Sequence, residues 1–371
     1  GRLVDEMGQG VATEFAAGFA TVALSAYLLP KGEKAEDSKS KAHKGPVCVT
    51  GASGFLGSYV VHVLLERGYK VHATVRDPSN AKKTNHLTSL PGARDKLVLF
   101  QADLLKDGSF DEAIKDCTCV FHTASPFFFK GGTEENLVVP ALKGTQNVLD
   151  ACSRTPSVKK VVLTASTASV YAHYNPDMDP THVWTEKDWS DLDKMRESKA
   201  WYPISKTEAE MKAWDMEKEA KWDLAVMNPT LIWGPMLQPS LNTSSAAVLS
   251  YLNGEKKEID NAQKTVVDVR DVALAHVLAF EKEAAGRFLL IGKCVSWEEV
   301  CGVLRKIEPD NKSIPTKVST KVGAASYGAP PPHKTLFSCR KAENELGLKF
   351  HSVEDMVEGT VSSLKKHGYL S

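Results

Sequence analysis

Apolar and polar positions predict short strands separated by helices from residue 46 onward. Short runs rich in β-branched residues alternate with predicted helices. Two of these helices are at 109–116 and 134–153, and another follows the run at 46–50. The predicted strands are 46–50, 70–76, 96–104, 119–125, 159–166 and 223–230. Strands alternating with helices are typical of a parallel sheet covered on both faces. We therefore predict an α/β fold with a doubly wound parallel sheet.

The first 44 residues differ from the rest of the chain. Residues 15–29 carry no charge, but this apolar run is shorter than the about 20 residues that span a bilayer. Small residues recur every four positions over 13–25, a spacing that lets helices approach closely. We predict an N-terminal apolar helix and polar linker over 1–44. Residues 11–30 are expected to contact a membrane or a membrane complex in a chloroplast or mitochondrion. A targeting remnant and a cytoplasmic location are the alternatives.

Composition restricts the partners. Lys+Arg and Asp+Glu both number 46, so no overall positive field attracts a phosphate backbone, and no nucleic-acid partner is predicted. The seven cysteines are odd in number and scattered, which fits a reducing compartment better than a disulfide framework. Neither C-x-x-C nor H-E-x-x-H occurs, so no metal site is predicted.

A glycine-rich turn, G-A-S-G-F-L-G, joins the first predicted strand to the first predicted helix. Gly51 permits a tight turn, Gly54 lets a pyrophosphate approach the backbone, and Gly57 lets the helix pack closely on the sheet. The helix N-terminus then presents free N–H groups to phosphates. Because the motif lies between a strand and a helix, we predict a Rossmann-type dinucleotide site.

The end of the second strand selects the dinucleotide. A carboxylate there binds a ribose 2′-hydroxyl, whereas cations suit a 2′-phosphate. This strand ends at Arg76, and Lys83 follows seven residues later. We therefore predict NADP (NADPH). The alternative is that both cations are solvated and that Asp77 binds the ribose.

Domain boundaries follow from the position of this motif. We predict an NADP-binding Rossmann domain over 45–235, to which 264–282 returns. Beyond Pro235 the alternation becomes irregular, with amphipathic helices at 296–309 and 353–368. Residues 236–371 are predicted to form mainly a substrate-binding region.

Tyr202 and Lys206 are four positions apart, the spacing of two side chains on one helix face. Pro203 lies between them, and proline is tolerated in the first turn of a helix but breaks its interior. Proline also disfavours helical geometry at the preceding residue. We predict that a helix begins here, with Tyr202 at its entrance and Lys206 one turn inside.

Four segments occur in the order V-C-V-T-G-A-S-G-F-L-G-S, E-R-G-Y-K-V-H-A-T-V-R-D-P, G-S-F-D-E-A-I-K-D-C-T-C-V-F-H-T-A-S-P and W-Y-P-I-S-K-T-E-A-E. Together they resemble the extended short-chain dehydrogenase/reductases. The resemblance is strongest to the group of dihydroflavonol reductases, cinnamoyl-CoA reductases and aldehyde reductases. It runs from about Pro46 to Leu370 and excludes residues 1–44.

The resemblance implies the residues that contact the cofactor. Those expected at the pyrophosphate are Gly51, Ser53, Gly54, Phe55 and Leu56. Those expected at the 2′-phosphate are Arg76 and Lys83, and Asp103 and Leu104 are expected to border the adenine. Those expected on the nicotinamide side are Thr123, Ala124, Ser125 and Pro229, the last packing on the ring.

The resemblance also implies a catalytic set of Ser166, Tyr202 and Lys206. Reduction of a carbonyl needs a hydride, which a nicotinamide supplies, and a proton. Tyr202 would donate that proton, and the charge of Lys206 would favour its phenolate. Lys206 would also hold the ribose hydroxyls, and Ser166 would donate to the carbonyl oxygen. Ala165 stands where the family often has a first serine, and the second, catalytic one is retained as Ser166.

Aromatic residues near these segments favour an apolar or aromatic carbonyl substrate, flavonoid-like or cinnamyl-like. They are Phe127, Phe128, Phe129, Tyr171, Trp184, Trp201 and Trp233. The alternative is that they are ordinary core aromatics. A-W-Y-P-I-S-K replaces the N-W-Y-C-Y-G-K of cinnamoyl-CoA reductases, and Tyr171 stands where flavonoid reductases typically have Asn. A general ketone or aldehyde reductase is therefore predicted.

Two other functions stay open at this point. The apolar N-terminus is consistent with an accessory nucleotide-binding subunit of an organellar membrane complex, with little or no catalysis. A nucleotide-sugar epimerase uses a related fold and the same Tyr and Lys. Such an epimerase normally retains NAD, so the cations Arg76 and Lys83 count against it.

Overall fold

The computed structural model describes residues 45–125, 132–172, 179, 181–322 and 336–370. The predicted N-terminal helix and its small-residue ridge lie outside these residues, as do Phe127, Phe128 and Phe129. In the part of the chain that is described, no helix is both long and apolar enough to cross a membrane.

The strands, numbered in chain order, are β1 (Val47–Thr50), β2 (Val71–Val75), β3 (Leu97–Gln101), β4 (Cys119–His122), β5 (Lys160–Thr164), β6 (Val183–Trp184), β7 (Asp223–Pro229), β8 (Leu231–Trp233), β9 (Ile259–Asn261), β10 (Gln263–Asp268), β11 (Gly286–Leu290), β12 (Lys293–Ser296), β13 (Val318–Val322) and β14 (Leu336–Phe337). Seven of them form the central sheet in the order β3-β2-β1-β4-β5-β7-β11. All neighbours in this sheet are parallel. β1 and β4 are completely buried, which matches their apolar sequences because both faces of the sheet are covered.

The α-helices are α1 (Phe55–Glu66), α2 (Ala81–Thr88), α3 (Ala93–Lys96), α4 (Asp111–Ile114), α5 (Val139–Arg154), α6 (Leu192–Glu197), α7 (Trp201–Glu217), α8 (Thr243–Leu252), α9 (Val269–Glu281), α10 (Trp297–Ile307) and α11 (Val353–Lys366). α1 packs on α9, and α5 packs on α7. The predicted α/β fold with a doubly wound parallel sheet is confirmed. The strand order reverses between β1 and β4, and ligands of such sheets bind at the carboxyl ends of the strands at this point.

The chain beyond β7, together with β6, builds a second layer. β12, β10 and β8 form a three-stranded sheet, and two-stranded sheets pair β13 with β9 and β14 with β6. Trp233 is fully buried in the core of this layer, with its ring 5.6 Å from that of Trp297. Trp233 is therefore an ordinary core aromatic residue, as the alternative to a substrate-pocket role predicted.

The second half of the chain also contributes to the first layer. β11 pairs with β7 in the central sheet, with Gly286 opposite Ala225. This strand lies beyond the 264–282 segment that was expected to return to the Rossmann domain. Within that segment, α9 packs on α1, while most of β10 belongs to the three-stranded sheet. The division at residue 235 stays a prediction.

Candidate active site

The glycine-rich turn lies between β1 and α1. Gly51 has a φ of +65°, and a Cβ there would lie 2.9 Å from the Cα of Ala124. A Cβ at Gly57 would overlap the carbonyl oxygen of Gly51 and lie 3.0 Å from the Cα of Ala52. Gly54 is the N-cap of α1, and no side chain caps this helix. Only glycine fits at the two crowded positions, and the resulting cradle fits a pyrophosphate at the helix N-terminus.

Hydrogen bonds tie the ends of β1 and β4 together beside this turn. The Thr123 hydroxyl donates to the carbonyl of Thr50 over 2.6 Å, and the Ala124 amide donates to the Thr50 hydroxyl over 3.2 Å. The same hydroxyl lies 2.8 Å from Nδ1 of His122. Burial, with a smaller effect of nearby Lys206, lowers the pKa of His122 to about 3. His122 is therefore neutral at physiological pH and serves as a hydrogen-bonding group.

The end of β2 favours a phosphate over a free ribose. Oδ1 of Asp77 accepts from the Ser79 hydroxyl at 2.6 Å and from its amide at 2.9 Å. These bonds hold the pKa of Asp77 below its usual range. Because the carboxylate is engaged in this local turn, the exposed cations Arg76 and Lys83 are the better partners for an incoming group.

The loop after β3 is held by α5. The side-chain amide of Asn147 donates to the carbonyl of Leu104 over 2.7 Å. A Cβ at Gly144 would lie only 3.2 Å from the Leu104 side chain. The Asp103 carboxylate accepts from the Leu105 amide at 2.9 Å. Sequence reasoning missed Asn147 and Gly144, which hold Leu104, one of the two residues expected to border the adenine.

Ser166 lies two residues beyond the end of β5 at Thr164. Its Oγ accepts from the amide of Ala168 at 3.1 Å and caps a short 3₁₀ turn, Thr167–Ser169. Its carbonyl accepts from the side-chain amide of Asn228 at 3.2 Å. A hydroxyl can accept and donate at once, so the Ser166 proton is left for another acceptor, such as a carbonyl oxygen.

The segment around Pro203 forms the helix start that the sequence predicted. α7 begins at Trp201 with Ala200 as N-cap, so the proline is the third residue of the first turn. Tyr202 lies at the helix entrance, and Lys206 lies one turn inside. This prediction is confirmed. The helix packs against the 3₁₀ turn that follows Ser166, so the three expected catalytic residues belong to elements in contact.

Lys206 lines a cavity beside the carboxyl ends of β4 and β5. The other lining residues come mainly from the ends of β4 and β5 and from α5 and α7, and they include His122, Ala124, Ser125, Thr164, Ala165, Leu104 and Glu210. Burial lowers the pKa of Lys206 to about 8, opposed by the charge of Glu210. The structure thus brings Leu104, Ala124, Ser125 and Lys206 around one space, while Arg76 and Lys83 follow β2 at another part of the sheet edge.

Pro229 is buried at the last position of β7, opposite Leu290 of β11. Sequence reasoning did not single out the neighbouring Asn228, or Glu210 and Arg287. Glu210 accepts hydrogen bonds from both Asn228 and Arg287. Glu210 carries a usable sequence signal, because it continues the i, i+4 stripe that contains Tyr202 and Lys206. Arg287 has no local signal.

Tyr171 is buried and its hydroxyl lies 2.8 Å from that of Thr265. Its ring lies 5.9 Å from Trp184 and 4.4 Å from Phe337. Trp201, by contrast, packs with an apolar cluster that includes Ile204. Within the described residues, no group of three or more His, Cys, Asp or Glu side chains is arranged to hold a metal ion.

The sequence is similar to that of a known family and of several characterised proteins. The model of the NAD dependent epimerase/dehydratase family matches residues 47–292. The cinnamoyl-CoA reductase CAD2 of Medicago truncatula is 42% identical, covering 86% of this chain and 95% of that protein. The bifunctional dihydroflavonol 4-reductase/flavanone 4-reductase of Malus domestica is 40% identical, covering 87% and 91%.

Two solved structures have the same fold. Vestitone reductase from alfalfa (Medicago sativa) aligns with a TM-score of 0.74 and 32% identity, covering 88% of this chain and 100% of that one. The yeast methylglyoxal/isovaleraldehyde reductase Gre2, complexed with NADPH, aligns with a TM-score of 0.75 and 29% identity over the same shares. The chain therefore belongs to the NAD dependent epimerase/dehydratase family, the extended short-chain dehydrogenase/reductases.

Proposed function

We propose that this protein is an NADP-dependent oxidoreductase that reduces a ketone or aldehyde to the alcohol with NADPH. The main supporting observation is that Lys206, Ala124 and Ser125 line one cavity beside the carboxyl ends of β4 and β5. Ser166 and Tyr202 lie on elements that pack together beside it. Relatives whose names are cinnamoyl-CoA reductase and dihydroflavonol 4-reductase support carbonyl reduction.

The cofactor is NADP. The cradle of Gly51, Gly54 and Gly57 would hold its pyrophosphate, with Ser53, Phe55 and Leu56 beside it. The exposed Arg76 and Lys83 would hold the 2′-phosphate. When bound, the nicotinamide supplies the hydride. The NADPH complex of the yeast reductase Gre2 supports this assignment.

The protein groups handle the proton and the developing charge. The hydroxyl of Tyr202 would donate its proton to the carbonyl oxygen of the substrate. The Lys206 ammonium would stabilise the phenolate that remains. Ser166 would donate a hydrogen bond to the same carbonyl oxygen, where negative charge develops. The Oγ of Ser166 already accepts a hydrogen bond from the amide of Ala168, so its hydroxyl proton is the part of the group that would point to the substrate.

For the substrate, we propose an apolar or aromatic carbonyl compound, flavonoid-like or cinnamyl-like. The names of the relatives support this class. Tyr171 stands where flavonoid reductases typically carry Asn, and its hydroxyl already pairs with Thr265. A-W-Y-P-I-S-K departs from the segment usual in cinnamoyl-CoA reductases. The proposal therefore stays with ketones and aldehydes in general.

The test is NADPH oxidation with a panel of aromatic and aliphatic aldehydes and ketones. Tyr202→Phe should lower kcat by about a hundredfold or more, because it removes the acid, while NADPH binding is retained. Tyr369→Phe is the matched control, since this tyrosine bonds Pro239 and Leu241 near the C-terminus. Absence of turnover on every substrate, or full turnover by Tyr202→Phe, contradicts the proposal.

The other functions have less support. Contact with an organellar membrane or a membrane complex through residues 11–30 is supported by no observation on the described residues. A NAD-retaining epimerase is disfavoured because Asp77 is engaged by Ser79 and two cations stand at the end of β2. Detection of tightly bound NAD instead of NADP would favour the epimerase.

A further inference from the structure

A buried ion pair joins α7 to β11. Nε of Arg287 donates to Oε1 of Glu210 over 2.6 Å, and Nη2 donates to Oε2 over 3.4 Å. The two side chains are 7% and 0% exposed. Removing such charges from water is costly, and apolar residues of similar volume are often as stable in their place. Stability alone therefore does not explain this pair.

Arg287 also binds backbone on two neighbouring segments. Its Nη1 donates to the carbonyls of Glu186 at 3.0 Å and Asp188 at 2.5 Å. Its Nη2 donates to the carbonyl of Ser169 at 3.4 Å. The guanidinium lies 3.8 Å from the centre of the Trp189 ring. The fork of Arg287 thus fixes the loop before α6 and the 3₁₀ turn that follows β5.

Glu210 carries the connection to the expected catalytic residues. The side-chain amide of Asn228 donates to its Oε2 at 2.9 Å and to the carbonyl of Ser166 at 3.2 Å. Asn228 and Glu210 are both fully buried. A continuous hydrogen-bonded path therefore runs from Arg287 through Glu210 and Asn228 to the backbone of Ser166.

The same carboxylate shares a cavity with Lys206. The two residues are one helical turn apart on α7, and His122 of β4 is the third titratable side chain lining the cavity. Burial lowers the pKa of Lys206, and the charge of Glu210 opposes this effect. His122 is neutral, so Glu210 is the lining group whose negative charge favours the ammonium.

We propose that Glu210 is a positioning residue of the reaction, held by Arg287 and Asn228. It keeps the Lys206 side chain protonated in the cavity and fixes the backbone that presents the Ser166 hydroxyl. This inference rests on the proposed function, because it concerns groups that serve the carbonyl reduction. Glu210 itself acts through Lys206 and Ser166.

Two variants and one control test it in the whole chain. Glu210→Gln keeps the size and an acceptor oxygen but removes the charge. Arg287→Lys keeps the charge but removes the planar fork. The control is Arg270→Lys, in a buried pair with Asp268 whose side chains are 5% and 0% exposed. The Arg270–Asp268 pair is as buried as the Arg287–Glu210 pair. It lies at the start of α9, where Asp268 is the N-cap, and not on α7.

We expect Glu210→Gln and Arg287→Lys to lower kcat at least tenfold, with KM for NADPH changed less than threefold. The control should keep kcat within twofold. In Glu210→Gln, the alkaline limb of the kcat profile should move to lower pH, a change that a purely structural role does not produce. Retention of kcat in both variants, or an equal loss in the control, overturns the proposal.

A second measurement does not depend on turnover. NMR titration of ¹³C-labelled lysine, with the signal assigned by its loss in Lys206→Arg, reports the pKa of Lys206. We expect Glu210→Gln to lower it by about one unit. An unchanged pKa overturns the inference even in an active enzyme. If the wild type reduces no carbonyl, the proposed function fails, whereas this titration still decides the role of Glu210. Should Glu210→Gln not fold, Arg287→Lys still tests the expected loss of kcat, because it keeps the carboxylate of Glu210 but removes the planar fork that holds it.

Discussion

Adding one methyl group at Gly57 should both destabilise the protein and weaken its cofactor site. A Cβ at this position would overlap the carbonyl oxygen of Gly51 and lie 3.0 Å from the Cα of Ala52. Both atoms are backbone, so no side chain can rotate away. Normal contact requires the turn and the helix to separate by about 1 Å. The shift would displace the N–H groups that are expected to hold the pyrophosphate.

The magnitude follows from two opposing effects. Alanine is favoured over glycine inside a helix by about 1 kcal/mol. Overpacking a closed site costs about 1–3 kcal/mol, and a clash with rigid backbone is at the upper end. We expect Gly57→Ala to lower the free energy of unfolding by about 1–2 kcal/mol. NADPH affinity should fall at least tenfold, equivalent to about 1.4 kcal/mol.

Gly302 provides the matched control. It lies in the middle of α10, and nothing lies within 4 Å of the Cβ that alanine would add. Gly302→Ala should therefore raise the unfolding free energy by about 0.5–1 kcal/mol and leave NADPH binding unchanged. Urea unfolding and fluorescence titration with NADPH measure both variants. A Gly57→Ala protein as stable as the control, with wild-type affinity, would refute the reasoning.

Three further outcomes are expected. Arg76→Ala should reduce the preference for NADPH over NADH at least tenfold in kcat/KM, because the 2′-phosphate loses a charged partner; equal loss with both cofactors would contradict this. Ser352→Ala should cost about 1 kcal/mol in urea unfolding, since Ser352 and Asp355 form the capping box of α11. Burial lowers the pKa of His276 to about 4, so between pH 6.5 and 4 the unfolded state binds more protons than the folded state. The free energy of unfolding therefore falls as the pH is lowered from 6.5 to 4. That loss should reach about 1.4 kcal/mol per unit and be shallower in His276→Gln; an identical slope would be inconsistent with a neutral buried histidine.

The sequence predicted those features whose cause is local. The glycine-rich turn could be assigned because two requirements for glycine are local, the φ of +65° at Gly51 and the crowding of Gly57 by the Gly51 carbonyl; the contact of Gly51 with Ala124 is not local. Pro203 marked the start of α7 because proline lacks the N–H that a helix interior needs and is tolerated only in the first turn. The order of strands in the first half followed from their short apolar, β-branched runs, whereas the predicted ends were too long: strands 96–104 and 119–125 end at Gln101 and His122.

The remaining features depend on contacts between distant parts of the chain. Arg287 and Glu210 are separated by 77 positions, and neither neighbourhood in sequence indicates the pair. The engagement of Asp77 by Ser79 is local, but it depends on a turn geometry that composition alone does not specify. Trp233 was ambiguous because an aromatic residue serves a core or a pocket equally well until its neighbours are known.

The position of β11 at the edge of the central sheet has a consequence for biosynthesis. A ribosome delivers β1 to β7 first, and β8, α8, β9, β10 and α9 follow before Gly286–Leu290 emerges. Until that moment the backbone groups along the outer side of β7 have no strand partner, and such an edge can pair with another chain. Nascent chains that stall before Gly286 should therefore aggregate more readily than chains released just after Leu290.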